Sequence, residues 1–191
     1  MTSIRKTFSV LAVFAVIGGF AAQVEALPIV SVVPGDTLVN VGDAFSVDII
    51  VDSQGEALGG FSFTLDFNGA LINPTGYANN PGANFGGLFF DFSGGFTPGS
   101  LDVFAFGDAA APGTFVLTNV QFTATAPGVT ALDLSNVILS NADGTEAIFP
   151  TVNDGRVCIG TVPCPVPEPG LLALLTTGLA TAFVRRRARR S

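Results

Sequence analysis

Between residues 27 and 162 the apolar positions repeat with a period of two. Phe45, Val47, Ile49 and Val51 alternate with Ser46, Asp48 and Ile50. Phe61, Phe63, Leu65 and Phe67 alternate with Ser62, Thr64 and Asp66, the cleanest alternation in the chain. A period of two puts one set of side chains on each face of a strand, so both stretches predict half-buried β-strands. Ile29–Val33 and Thr37–Val41 predict two short strands split by the turn signal Pro34-Gly35-Asp36. Further strands are predicted over Leu88–Phe92, Ser100–Phe106, Thr114–Ala124, Val129–Ser140, Ala147–Phe149 and Gly155–Ile159. The punctuation between them is Gly94-Gly95, Pro98-Gly99, Pro127-Gly128 and Asp143-Gly144. Residues 71–87 are rich in Asn, Pro and Gly and predict a long loop. No helical period is sustained. About nine short strands with Gly/Pro turns predict an all-β fold, an antiparallel jelly-roll sandwich.

Phe is the expected source of the core, with Phe45, Phe61, Phe63, Phe67, Phe104, Phe106, Phe115 and Phe122 in strand patterns. Burial of each contributes on the order of 2 kcal/mol. Phe85, Phe89, Phe90, Phe92 and Phe96 form a second group. Core is preferred for them over an exposed aromatic platform, because Phe lacks the polar edge with which Trp and Tyr hold sugars.

The two ends carry a different pattern. Arg5-Lys6, the apolar run from Phe8 to Ala22 and the small-residue site at Val24-Glu25-Ala26 predict a secretory signal peptide over residues 1–26, cleaved after Ala26. At the other end, Val166-Pro167-Glu168-Pro169 precedes an apolar run, residues 170–184, and then the basic cluster Arg185, Arg186, Arg187, Arg189 and Arg190. The prolines fix φ and keep Glu168 extended and accessible. The fifteen-residue run is shorter than the roughly 17–25 residues of a lasting membrane span. It suits transient retention as a short transmembrane helix, with the Arg cluster cytoplasmic by the positive-inside bias. The expected division is a signal peptide (1–26), a sandwich (27–162), a linker with the Pro-Glu-Pro motif (163–169), a membrane segment (170–184) and a basic tail (185–191).

Charge sharpens this division. Between residues 27 and 164 thirteen Asp and Glu face one Arg, Arg156, for a net of −12. Such a body repels nucleic acid, which needs a cationic surface. The chain has no His, no Trp and no Lys in its middle, and a single Tyr, Tyr77. Without His there is no Ser–His or Cys–His nucleophile and no His-based zinc site. No phosphate-cradling GxxxxGK[ST] loop occurs. A carboxylate pair of the glycosidase kind is the one catalytic chemistry left, and the Trp and Tyr side chains that normally flank it are nearly missing. A non-enzyme without cofactors is expected.

Cys158 and Cys164 are the only cysteines, and an exported chain meets an oxidising compartment. A disulfide is the economical reading; a pair of reactive or intermolecular thiols is the alternative. Asn141 and Asp143, in the stretch Asn141-Ala142-Asp143-Gly144-Thr145-Glu146, space oxygen ligands as part of a calcium loop does. A hairpin turn explains the same residues and is preferred.

The Val166–Pro169 motif, the apolar run and the Arg cluster together resemble the PEP-CTERM sorting signal of Gram-negative bacteria. The resemblance implies export by the Sec route, transient retention at the inner membrane and processing by an exosortase-type enzyme. It also implies a final place at the cell surface or outside, in bacteria that make exopolysaccharide and biofilm. A second resemblance covers residues 30–157. Val41-Gly42-Asp43-Ala44-Phe45-Ser46-Val47-Asp48 and the run from Leu58 to Phe67 resemble the early strands of cohesin-like modules. Leu117–Ala124, Pro127-Gly128-Val129-Thr130, Asn141-Ala142-Asp143-Gly144 and Gly155-Arg156-Val157 follow in the same order. Cohesins are nine-stranded jelly-roll sandwiches that bind dockerins and share their architecture with a class of carbohydrate-binding modules. The resemblance implies a non-catalytic surface or matrix protein. A polysaccharide-binding module is the alternative.

Overall fold

The computed structural model describes residues 26–160 and Cys164. Thirteen strands build it: β1 (Ile29–Val33), β2 (Asp36–Val39), β3 (Ala44–Asp52), β4 (Leu58–Phe67), β5 (Ile72–Asn79), β6 (Phe89–Asp91), β7 (Gly95–Thr97), β8 (Ser100–Ala110), β9 (Thr114–Ala124), β10 (Gly128–Asn141), β11 (Ala147–Ile148), β12 (Thr151–Asn153) and β13 (Gly155–Ile159). They form two sheets. Sheet I has the order β12-β1-β3-β9-β5, and sheet II the order β2-β13-β10-β4-β8-β6, with β11 on β10 and β7 on β8. The described chain is an all-β sandwich. The expected helices of the signal peptide and the membrane segment lie outside the described residues.

The alternating runs do what their period demands. Val47, Ile49 and Val51 of β3 point inward from sheet I, and Phe61, Phe63 and Leu65 of β4 meet them from sheet II; all are buried. Phe122 stacks on Phe45, with centroids 5.5 Å apart, and meets Phe67 edge-on at 5.2 Å. Phe85 packs on Phe61 and Phe115 and closes the interior where a loop covers it.

Three expectations need correction. Residues 71–87 are not one long loop, because Ile72–Asn79 pairs with β9 as the edge strand of sheet I. Its Asn, Pro and Gly content hid it, and Pro74 is tolerated there because the register shifts between Pro74 and Gly76 on an edge. The sandwich is not purely antiparallel: β1 pairs with β12 and β13 with β2 in parallel. Both parallel pairs arise where the first strand splits at Pro34 and serves sheet I and then sheet II. Third, Phe104 and Phe106 do not join the core; they lie on the outer face of sheet II.

Candidate functional site

The site grows out of strand β8. Leu101, Val103 and Ala105 point into the core, so Asp102, Phe104 and Phe106 point out. Both parities of Val103–Phe106 are apolar, which is why a period of two could not assign the inner face. Asp102 carried the missing signal, since it shares its parity with the two Phe residues. Their neighbours complete an aromatic group on β6 and just after it, with Phe90 44%, Phe92 59%, Phe104 50% and Phe106 41% exposed. The rings contact one another: Phe92 stacks on Phe106 at 5.5 Å and 11°, and Phe90 meets Phe106 at 5.4 Å. The second Phe group therefore divides. Phe85 is buried, Phe89 and Phe96 pack partly on the core, and Phe90 and Phe92 are exposed.

The register arranges the outer face of sheet II in transverse rows. Ser140, Gly60, Phe106 and Phe90 make the first; Ile138, Ser62 and Phe104 make the second, joined by Phe92 through its N–H to the Phe104 carbonyl. Between the Phe104/Phe106 wall and Ile138 runs a groove of about 350 Å3, closed at one end by Ala142, Asp143 and Gly144. Its floor is glycine for a reason. A Cβ at Gly60 would stand 2.9 Å from the Phe106 Cβ and 3.2 Å from the Ser140 Oγ. Any side chain there would fill the groove or displace its wall. A larger hollow of about 630 Å3 lies where Asn68, Gly69 and Ala70 approach Pro98 and Gly99, but neither an exposed aromatic nor a charged side chain lines it.

The next rows are acidic. Thr64 pairs with Asp102, and Asp133 pairs with Asp66. Asp102 accepts from the Thr64 hydroxyl at 2.9 Å, and Asp66 from the Ser135 hydroxyl at 2.9 Å. Asp154, at the flank, accepts from the Leu134 N–H. Partial burial, then the charges of Asp154 and Asp66, push the Asp133 carboxyl above its ordinary value. Arg156 forms a bidentate pair with Asp36 at the far edge of the sheet. Along β8 and β4 the exposed face thus passes from apolar rows to acidic rows; beyond them, on β10 and β2, Val129 and Leu38 are exposed again.

A polar network sets the aromatic strand in place. Asn79 on β5 donates to Asp91 at 2.8 Å and to Ser93 at 3.0 Å, and accepts from the buried Thr118 hydroxyl at 2.7 Å. Ser93 also accepts from the Phe104 N–H. These bonds tie β6 to the opposite sheet. Against the opposing effect of burial, hydrogen bonds from Ser93 and Asn79 hold the Asp91 carboxyl below its ordinary value. Sequence reasoning missed this network, because its members lie on four strands and a loop.

Cys158 and Cys164 are bonded, with Cα atoms 5.6 Å apart. Cys158 sits on the outer side of β13, opposite the inward Val157 and Ile159, and is fully covered. Asn141 and Asp143 form no ligand set. The Asn141 Oδ1 accepts from the N–H groups of Thr145 and Glu146, and Asp143 is exposed at the hairpin tip. Among the described residues no three His, Cys, Asp or Glu are grouped to hold a metal, and no helix is long and apolar enough to cross a membrane. Ala26 opens the described chain as exposed coil. Val166, Pro167, Glu168, Pro169 and the cluster Arg185–Arg190 lie outside the described residues.

Neither a family model nor a curated protein matches the chain. Solved structures do. A non-cellulosomal cohesin from the hyperthermophilic archaeon Archaeoglobus fulgidus superposes with a TM-score of 0.58 at 16% identity, over 71% of this chain and 93% of that one. A type I cohesin from Clostridium thermocellum, solved as a cohesin–dockerin complex, gives 0.57 at 13% identity over 73% and 97%. The seventh ScaB type I cohesin from Pseudobacteroides cellulosolvens gives 0.55 at 15% identity over 75% and 99%.

Proposed function

We propose that this protein is an exported, non-catalytic binding module that works at the cell surface or in the extracellular matrix and engages a protein partner. The cohesin-like fold supports a binding role, and several of the similar cohesins were solved in complex with dockerins. The observation that carries the reading is the exposed group Phe90, Phe92, Phe104 and Phe106 beside the glycine-floored groove. Four neighbouring Phe side chains left exposed on one face form the kind of apolar patch that marks an interaction site, since burying them would stabilise the sandwich further.

The polysaccharide-binding alternative is less well served by this face. The rings spend contact on one another rather than lying as a free platform, and the carboxylates beside them repel an anionic polymer. Capture of partners from culture supernatant by the full chain, compared with Phe104→Ser/Phe106→Ser, tests the reading. Loss of a specific protein partner in the variant is expected. Undiminished protein capture, or loss confined to polysaccharide, would move the function elsewhere.

The address completes the proposal. The N-terminal segment directs export, with cleavage after Ala26. The Val166–Pro169 motif, the apolar run and the Arg cluster hold the chain at the inner membrane until an exosortase-type enzyme processes it. The signal's resemblance and the tail's charge order support this reading. Glu168→Ala, or deletion of residues 185–190, is expected to leave unprocessed or misplaced precursor. An unchanged mature mass and location in both variants would refute it.

A further inference from the structure

We infer that the occupant of the groove is a cationic amphipathic polypeptide segment, its apolar side chains on Phe104, Phe106 and Ile138 and its Lys or Arg side chains on Asp102, Asp66 and Asp133. The inference rests on the binding face proposed above and adds the chemistry of the partner.

Three observations lead to it. The first is size. The exposed fractions of the four Phe residues add up to about two whole side chains, or roughly 400 Å2 of apolar surface. A stable dimer covers about 800 Å2 on each partner, so a second copy of this sheet is not called for, while one helix or strand is. The second is charge. Three carboxylates follow directly on the apolar rows, and their hydrogen-bonded partners are neutral hydroxyls where they have any. The one described cation on sheet II, Arg156, is bound to Asp36. A partner cation placed there removes a like-charge repulsion already present between Asp133, Asp154 and Asp66. A second copy would add to that repulsion.

The third is spacing. Phe104 and Asp102 are two residues apart on β8, and the Asp66–Asp133 row is two residues further on. At about 3.4 Å per residue the cations sit ~7 and ~14 Å from the apolar anchor. Those distances match a Lys or Arg one to three helical turns beyond an apolar pair. Asp143 at the opposite end of the groove marks a further place for a basic residue.

Two synthetic peptides of about twelve residues test it, with identical Leu positions and either Lys or Glu on the polar side. Anisotropy is measured against the purified full chain. The Leu/Lys peptide is expected to bind, and to weaken about tenfold on Phe104→Ser/Phe106→Ser and severalfold on Asp66→Asn/Asp102→Asn/Asp133→Asn. Raising salt from about 50 to about 300 mM also weakens it. Asp43→Asn/Asp48→Asn/Glu56→Gln removes the same charge elsewhere and is expected to change affinity less than about twofold. Equal binding of the Leu/Glu peptide, or an equal loss in that control, would overturn the inference. If a natural partner lost in Phe104→Ser/Phe106→Ser is unaffected by the three Asp→Asn changes, the face stands and its cationic occupant falls. If the Phe changes alter no binding at all, the face itself falls.

Discussion

The outer face of sheet I and the outer face of sheet II follow the same geometric rule and end with opposite surfaces. On sheet I the outward positions of β1, β3, β9 and β12 include Ser31, Ser46, Asp48, Asn119, Gln121 and Asn153. Several are satisfied in pairs: Asn119 donates to Asp48 at 2.7 Å, and Asn153 to Ser31 at 3.0 Å. On sheet II the outward positions of β4, β8 and β10 include Phe104, Phe106 and Ile138, then Asp102, Asp66 and Asp133. The first face scatters its apolar side chains, Ile29, Val33, Ile50 and Val116, among polar groups paired with one another. The second keeps apolar surface and unpaired charge side by side, a combination that a folded domain gains nothing from by itself. The difference teaches that in a sandwich the core-facing parity secures the fold and leaves the other parity free for function.

The comparison can be broken most strongly from inside. Phe63→Ala removes a ring that is buried to 98% and is expected to cost about 3–5 kcal/mol, read by denaturant unfolding. Phe104→Ser, on the neighbouring strand but on the outer parity, is expected to cost under about 1 kcal/mol while binding is lost. Equal destabilisation by the two would end the distinction between fold side chains and surface side chains.

The next effect concerns the disulfide. Cys158→Ser/Cys164→Ser opens a loop with a sequence separation of 6 and is expected to cost about 2 kcal/mol by the loop-closure argument. Partner binding at the Phe face is expected to persist, because the Cys158 row lies on β13, two strands from β4. Asn79→Ala should cost about 1–2 kcal/mol by leaving the buried Thr118 hydroxyl without its acceptor. It should also loosen β6, so amide exchange at Phe90 and Phe92 is expected to speed up before that of sheet I. Uniform exchange across both sheets would mean that the network does not set the aromatic strand.

The smallest effect belongs to the acidic rows. The Asp133 carboxyl is raised in the folded state, so its ionisation costs stability above that raised value. The cost disappears as pH falls through it. Asp133→Asn is therefore expected to stabilise at neutral pH, by less than about 0.5 kcal/mol, and to have no effect in acid. Asp91 behaves oppositely: its lowered carboxyl contributes stability above the ordinary range and loses it as pH falls through the folded value. Thermal unfolding of Asp133→Asn and Asp91→Asn across pH reads both signs.

The sequence by itself determined the sandwich, because a period of two with small-residue turns admits few other ways of burying apolar side chains. Strands β3, β4, β9 and β13 were legible for that reason, and the cohesin-like order of elements with them. Pairing with β9 decided that Ile72–Asn79 is a strand, since an edge strand tolerates Asn, Pro and Gly where a central one does not. The tertiary structure also decided which parity of β8 faces out. Asp102 marks that parity in the sequence, and the packing of Leu101, Val103 and Ala105 against the opposite sheet turns Phe104 and Phe106 into surface. Strand register then set the acidic rows beside them, joining Asp66, Asp102 and Asp133 from three strands that the linear chain keeps apart. Local pattern fixes what a residue prefers; cross-sheet packing fixes which of two competing preferences is granted.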